Sequence, residues 1–131
     1  MNFGERREST ASDILASFIA GQIVLADWRD ALPKEPNKRR PAIVVEDTGL
    51  FGPNYPNVLL VPLADDPDLA VPGVSLAIEP TPENGCTKRC YALSHSITAT
   101  SVRRLVTTGS RISADQLAEI RQQIGFAIGL E

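Results

Sequence analysis

The hydrophobic positions of the chain form short runs separated by turn-forming residues. Four runs are rich in apolar and β-branched residues and are bounded by Gly, Pro, Asn or Asp: "QIVLADW" from residue 22, "PAIVVED" from 41, "VLLVPLA" from 58 and "VSLAIEP" from 74. The segment "CTKRCYALSHSITATS" from residue 86 has the Thr, Tyr and Ile content of one or two further strands. The pattern therefore predicts five or six short strands in sequence.

Helical spacing is found at the two ends of the chain. Near the C-terminus, apolar residues recur every three or four positions: Leu117, Ile120, Ile124 and Ile128. Ser113 and Gln116 precede this stripe in a capping-box pattern, so a helix is predicted over about residues 114–130. The segment "ASDILASFIA", residues 11–20, predicts a short leading helix.

Short strands followed by one amphipathic helix favour a mainly β fold. We expect a small barrel of five to seven strands with the C-terminal helix packed on it. A chain of 131 residues is the size of one domain with its own core. We therefore expect residues 1–20 to form an N-terminal extension and residues 21–131 to form the barrel domain.

Charge is distributed unevenly along the chain. The net charge of -3 argues against binding nucleic acid through bulk electrostatics. Residues 41–85 contain no Lys or Arg but several acidic residues, including Asp65, Asp66 and Asp68. The basic residues collect in other segments, so we expect one basic face and an acidic surface away from it. No apolar run is long enough to span a bilayer and the N-terminus lacks a signal-peptide pattern, so we expect a cytoplasmic protein.

Cys86 and Cys90 are the two cysteines of the chain, in "CTKRC". On a strand they would lie roughly 13 Å apart, too far for a disulfide. On a turn they could bridge, although a cytoplasmic protein would keep them reduced. They lack the further ligands of a metal site, and no metal or cofactor is expected.

A cluster of basic residues occurs in "NKRRPAIVVED", residues 37–47. Lys38, Arg39 and Arg40 stand directly before Pro41, which suits the first residue of a strand. Such a cluster is either a solvated loop that ends at a strand or a phosphate-binding site.

Four segments in this order resemble the PemK/MazF family of toxin endoribonucleases from bacterial toxin-antitoxin pairs. The most specific feature is Glu35, followed after four residues by Arg40 and Pro41 at the entry of an apolar strand. The resemblance covers roughly residues 21–130, through "GQIVLADW", "KEPNKRRPAIVVED", "VLLVPLADD" and "SRISADQLAEIRQQIGFAIGL".

The resemblance implies an SH3-like barrel, usually a homodimer, that cuts single-stranded mRNA without a metal and is held inactive by a cognate antitoxin. Arg40 matches the family's catalytic arginine position. A guanidinium presents several fixed donors to a phosphate and stays charged at physiological pH, which suits stabilisation of the pentacoordinate state.

Two segments depart from the family pattern. Many members have Ser or Thr at the position of Ala64, which carries no hydroxyl. Where the family often has an acidic-Gln-x-Arg-Thr arrangement, residues 94–100 read "SHSITAT". His95 and Ser96 fall at the acidic and Gln positions, and Thr98 falls at the Arg position.

Two interpretations of these departures remain open. His95 has taken over acid-base chemistry, since an imidazole titrates near neutral pH, with Thr98 as a second catalytic candidate. Alternatively, the site is degraded, and the protein binds antitoxin or nucleic acid without cleavage.

Further residues are candidates for contacts along a bound RNA strand. Trp28 can stack on a base, although a single Trp is more often a packing anchor. The basic candidates for phosphate contacts are Lys38, Arg39, Arg103 and Arg104.

Overall fold

The computed structural model of the chain describes residues 18–28, 39–52 and 54–130. It contains seven strands and one α-helix in this described part, together with three short 3-10 helices. The strands are β1 Gln22–Asp27, β2 Arg39–Val44, β3 Asn57–Ala64, β4 Leu76–Ile78, β5 Cys90–Ala92, β6 Thr98–Ser101 and β7 Leu105–Arg111, and the helix is α1, Ala114–Ala127.

The strands form one antiparallel sheet in the order β4-β5-β3-β2-β1-β7, and β6 also pairs with β3. β3 is long enough to pair with β6 through its first half and with β5 at its end. The pairings within the described ranges leave the sheet open, so closure into a barrel is not observed there. The predicted mainly β fold with a C-terminal helix is confirmed. The leading helix predicted over residues 11–20 falls mostly on residues 11–17, which lie outside the described part.

The pattern of apolar runs in the sequence located most of the strands. The runs beginning at residues 22, 41, 58 and 74 overlap β1 to β4, and the segment from residue 86 supplies both β5 and β6. β7 was not predicted as a separate strand. Its sequence, "LVTTGSR", contains a Gly and little apolar alternation, and it is held as a strand by pairing with β1.

Both faces of the central strands are buried, which explains their nearly continuous apolar sequences. In β1, Ile23 and Leu25 belong to one core cluster, whereas Val24 and Ala26 belong to the cluster on the other face. Ile120 of α1 is part of the first cluster. Phe18, Trp28 and Val102 pack against the second.

The capping box predicted for α1 is confirmed. The Ser113 hydroxyl accepts from the Gln116 backbone N–H at 3.1 Å, and the Gln116 side chain accepts from the Ser113 N–H at 3.0 Å. The helix ends at Ala127, earlier than predicted, because Gly129 adopts a φ of 91° and the Leu130 N–H turns back to the Gly125 carbonyl at 2.7 Å.

Polar contacts join α1 to the sheet. Arg121 donates to the carbonyl oxygens of Val45 at 3.0 Å and Glu46 at 2.9 Å, just after β2. Buried Gln123 accepts from the Ser94 hydroxyl at 2.7 Å and donates to the Ser75 carbonyl at 3.1 Å. In the described part of the chain, no helix has the length and apolar character needed to cross a membrane.

Candidate functional site

A groove of about 670 Å³ lies where β1 ends, β2 begins and β3 ends. Three of the residues predicted from sequence contribute to it, namely Trp28, Arg39 and Arg40. The full set of lining residues is Trp28, Arg39, Arg40, Pro41, Pro62, Leu63, Ala64, Asp65, Asp66, Leu69 and Leu93.

Strand pairing explains why these segments meet. Arg40 pairs with Ala26 of β1, and Ala42 of the same strand pairs with Pro62 of β3. Extending the β2–β3 register by two residues puts Arg40 opposite Ala64. The predicted catalytic arginine is thus directly across from the position where the family often has a hydroxyl, and here the groove has only a methyl group.

Arg40 is a half-buried cation at the start of a rigid strand. Pro41, the next residue, is buried. The Arg40 side chain has interactions within the protein, while its Nε atom is buried with no hydrogen-bond partner in the described ranges. Arg39 is exposed at the same rim. Guanidinium groups from two residues that line one concave site can bind a phosphodiester.

Two carboxylates line the same groove as these arginines. The Asp65 Oδ2 atom lies 3.2 Å from Lys88 Nζ, and this hydrogen bond lowers the pKa of Asp65 below its ordinary value. Asp66 accepts from the Asp68 backbone N–H at 2.9 Å and begins the 3-10 helix Pro67–Leu69. The expectation of an acidic surface away from the cleft is therefore wrong for Asp65 and Asp66.

Trp28 is held in one orientation at the end of the groove. Its indole Nε1 donates to the Thr100 hydroxyl at 3.0 Å, and its half-buried ring packs against the second core cluster. Arg104 donates from Nη1 to the Asp27 carbonyl at 3.2 Å, which puts its guanidinium beside the residue preceding Trp28. Arg103 is exposed in the neighbouring 3-10 helix, Val102–Arg104. Lys38 lies outside the described residues.

His95 and Thr98 are not among the lining residues of the groove. His95 is exposed, and both its backbone N–H and its ring Nδ1 lie 3.3 Å from the Val74 carbonyl oxygen. Thr98 is exposed on β6, where it pairs with Leu60. The fold does not bring these two side chains to Arg40 within the groove, and their catalytic roles stay predictions.

Sequence reasoning missed several groove residues. Asp65 and Asp66 follow directly after β3, and the sequence pattern predicts them on an acidic surface away from the cleft; for Leu69 and Leu93 it predicts no role in a site. The available signal was the position of the two carboxylates immediately after Ala64, at the end of a buried strand. No group of three or more His, Cys, Asp or Glu residues in the described ranges is placed to hold a metal ion.

A family model of the PemK-like, MazF-like toxins of type II toxin-antitoxin systems matches residues 19–128. The chain belongs to this toxin family. The matched range contains the whole described sheet and α1, so the groove with Arg40 lies within the family domain.

Several solved structures have a similar fold. An endoribonuclease in complex with its cognate antitoxin from a mycobacterial species is 16% identical, with a TM-score of 0.69 over 88% of this chain and 98% of that one. The Mycobacterium tuberculosis toxin MazF-mt6 is 17% identical, with a TM-score of 0.66 over 84% and 98%. MazF from Deinococcus radiodurans is 23% identical, with a TM-score of 0.63 over 85% and 96%.

At these identities the likeness shows a shared fold and does not assign roles to the residues that line the groove of this chain. No curated protein is similar enough to match the chain.

Proposed function

We propose that the protein is a type II toxin that cleaves single-stranded mRNA without a metal. One observation carries the proposal: Arg40, at the family's catalytic arginine position, lines a groove large enough for a nucleotide segment. Arg39 and Trp28 line the same groove and supply a second cation and an aromatic surface.

The reaction is an attack of a ribose 2′-hydroxyl on the adjacent phosphodiester. The 2′-hydroxyl gives up its proton as the bond from its oxygen to phosphorus forms. The bond to the 5′-oxygen breaks, and the leaving oxygen takes up one proton, so the step is balanced. The products are a 2′,3′-cyclic phosphate and a 5′-hydroxyl end. Negative charge builds up on the nonbridging oxygens, and donors of Arg40 stabilise it without any change in protonation state.

The toxin acts in the cytoplasm as a homodimer and is inhibited by a cognate antitoxin. Solved relatives include an endoribonuclease in complex with its cognate antitoxin and a MazE–MazF pair from Deinococcus radiodurans. An extended antitoxin segment that folds on binding would cover the groove and compete with RNA for Arg39 and Arg40.

A second candidate function is a non-cleaving module that keeps antitoxin or RNA binding. It is favoured by Ala64, which leaves the groove without the family's hydroxyl, and by the location of His95 and Thr98 outside the groove. Growth arrest on expression of the chain alone would favour the toxin over this module.

Cleavage of a long unstructured RNA in EDTA tests the leading proposal, with end-group analysis of the products. Arg40→Ala should lower the cleavage rate by about 100-fold or more, because a donor to the developing oxyanion is lost. His95→Ala should change the rate by less than about tenfold, because the imidazole lies outside the groove that holds Arg40.

Thermal melting of each variant confirms that it is folded. A His95→Ala loss as large as that of Arg40→Ala would make His95 the acid-base residue. If the folded wild-type protein cuts no RNA but binds it, the non-cleaving module is the correct function.

A further inference from the structure

The carboxylate of Asp65 lies in a groove that we propose binds RNA, although it carries the same sign of charge as the RNA phosphates. Phosphates are repelled by Asp65, which lines the groove together with Arg39 and Arg40. Its side chain is 38% exposed, so a bound ligand can reach it. Because the Asp65 carboxylate cannot bind a phosphate, it is better suited to contact the base of a nucleotide.

Lys88 positions Asp65 from outside the set of lining residues. The Nζ atom of Lys88 lies 3.2 Å from the Oδ2 atom of Asp65. This ion pair joins the residue that follows β3 to the segment before β5. The hydrogen bond from Lys88 holds the pKa of Asp65 below its ordinary value. The carboxylate is ionised at neutral pH and can only accept hydrogen bonds.

The bases differ in what they offer to such an acceptor. Cytosine, adenine and guanine carry exocyclic amino groups, and a carboxylate accepts well from the amino group of cytosine. Uracil carries carbonyl groups on both sides of its only ring N–H, and these repel a carboxylate. Bases of single-stranded RNA present these edges because they are not paired.

The groove also provides apolar surface for the flat faces of a base. Leu63, Leu69, Leu93 and Pro62 line it beside Asp65. Leu69 is 50% exposed, which leaves apolar area to be covered by a ligand. A base in this groove would therefore have its rings against apolar side chains and an edge toward the carboxylate.

We propose that Asp65, positioned by Lys88, is a specificity-determining residue that selects a base with an exocyclic amino group over uracil. The inference rests on the proposed function in one respect, namely that the groove binds single-stranded RNA. In this inference Asp65 recognises a base, and Arg40 acts at the phosphate.

Base selection can be measured without cleavage. The full-length protein is incubated with a randomised single-stranded pool of 2′-deoxy nucleotides carrying A, C, G and U bases, and the bound fraction is sequenced. Wild-type protein should enrich amino-bearing bases over uracil by about tenfold at one position. Asp65→Asn should lower that enrichment to about twofold or less, because an amide can also donate to a uracil carbonyl.

Two further variants separate specificity from general electrostatics. Lys88→Gln removes the partner of Asp65 and should lower the enrichment partway, since the carboxylate stays ionised at pH 7 but is no longer held. Glu79→Gln is the matched control. It removes another ion pair, between Glu79 and Arg89 at 2.6 Å, and Glu79 does not line the groove. This variant should keep the wild-type enrichment.

The inference is overturned if folded Asp65→Asn keeps the wild-type enrichment, if Glu79→Gln loses it equally, or if the wild-type protein shows no base preference or binds none of the pool. Cleavage of ordinary RNA by the same preparations is scored separately. Loss of enrichment in Asp65→Asn without any wild-type cleavage supports base reading and rejects the ribonuclease. Wild-type cleavage with unchanged enrichment in Asp65→Asn supports the ribonuclease and rejects base reading by Asp65.

Discussion

At the scale of single residues, surroundings decide which side chains can act. Arg40 is half-buried at the start of a strand and presents a permanent charge to the groove. Asp65 is a neighbour of opposite charge whose pKa is lowered by Lys88. Cys86 and Cys90 cannot act in this way, because both thiols are buried among apolar residues of the first core cluster, and they form no disulfide.

The two thiols should react slowly in the folded protein. Burial raises the pKa of Cys86, and it raises the pKa of Cys90 to about 12. Since the thiolate is the reactive form, alkylation by iodoacetamide at pH 8 should be about 100-fold slower for folded than for urea-unfolded protein, as measured by mass spectrometry. Labelling should speed up as the pH rises toward 12.

The same shift has a consequence for stability. A raised thiol pKa contributes stability that is present below the ordinary value of 9.0 and is lost as the pH rises toward about 12.

Equal labelling rates in the folded and unfolded protein at pH 8 would contradict the buried environment of these thiols.

At the scale of elements, α1 stabilises the sheet through one deeply buried side chain and several polar contacts. Ile120 is completely buried in the first core cluster. Arg121 binds carbonyl oxygens just after β2, and Gln123 joins the helix to Ser94 and Ser75. The helix therefore supports the same strand, β2, that carries Arg40 into the groove.

Two isoleucines of this region provide a matched pair of substitutions. Ile120→Ala should lower the free energy of unfolding by about 2–5 kcal/mol, because it leaves a cavity in the core. Ile128→Ala should change it by less than about 0.5 kcal/mol, because Ile128 is 69% exposed at the end of the helix. Urea unfolding followed by circular dichroism measures both, and similar losses for the two variants would argue against the packing of α1.

At the scale of the whole molecule, charges of both signs lie close together, and the groove itself is lined by Arg39 and Arg40 as well as by Asp65 and Asp66. The net charge is -3, Lys88 lies against Asp65, and Arg89 lies against Glu79. The expected separation into a basic and an acidic face is therefore not found at this site. RNA binding should depend on a few local phosphate contacts, and its dependence on salt should be correspondingly weak.

Salt titrations of RNA binding measure the number of these contacts. Arg39→Gln should reduce the slope of log affinity against log salt by about 0.7, the value for one phosphate contact with a single strand. Arg111→Gln removes another exposed arginine, which lines a different groove, and it should leave the slope unchanged. Equal changes in both variants would indicate binding through net charge alone.

The sequence predicted those parts of the fold and site that depend on neighbours along the chain. Apolar runs located β1, β2 and β3, and the Ser113–Gln116 pattern located the start of α1. β7 was missed because its residues have weak strand preferences and depend on β1 for pairing.

By itself, the sequence determined the family, the mainly β fold with its C-terminal helix, and the position of Arg40 at the entry of a strand. Each of these depends on residue types within short segments and on the order of those segments along the chain. Only the tertiary structure decided that Asp65 and Asp66 share a groove with Arg39 and Arg40, and that His95 lies outside it. Such neighbours are set by pairing between distant strands, whose register no local pattern specifies.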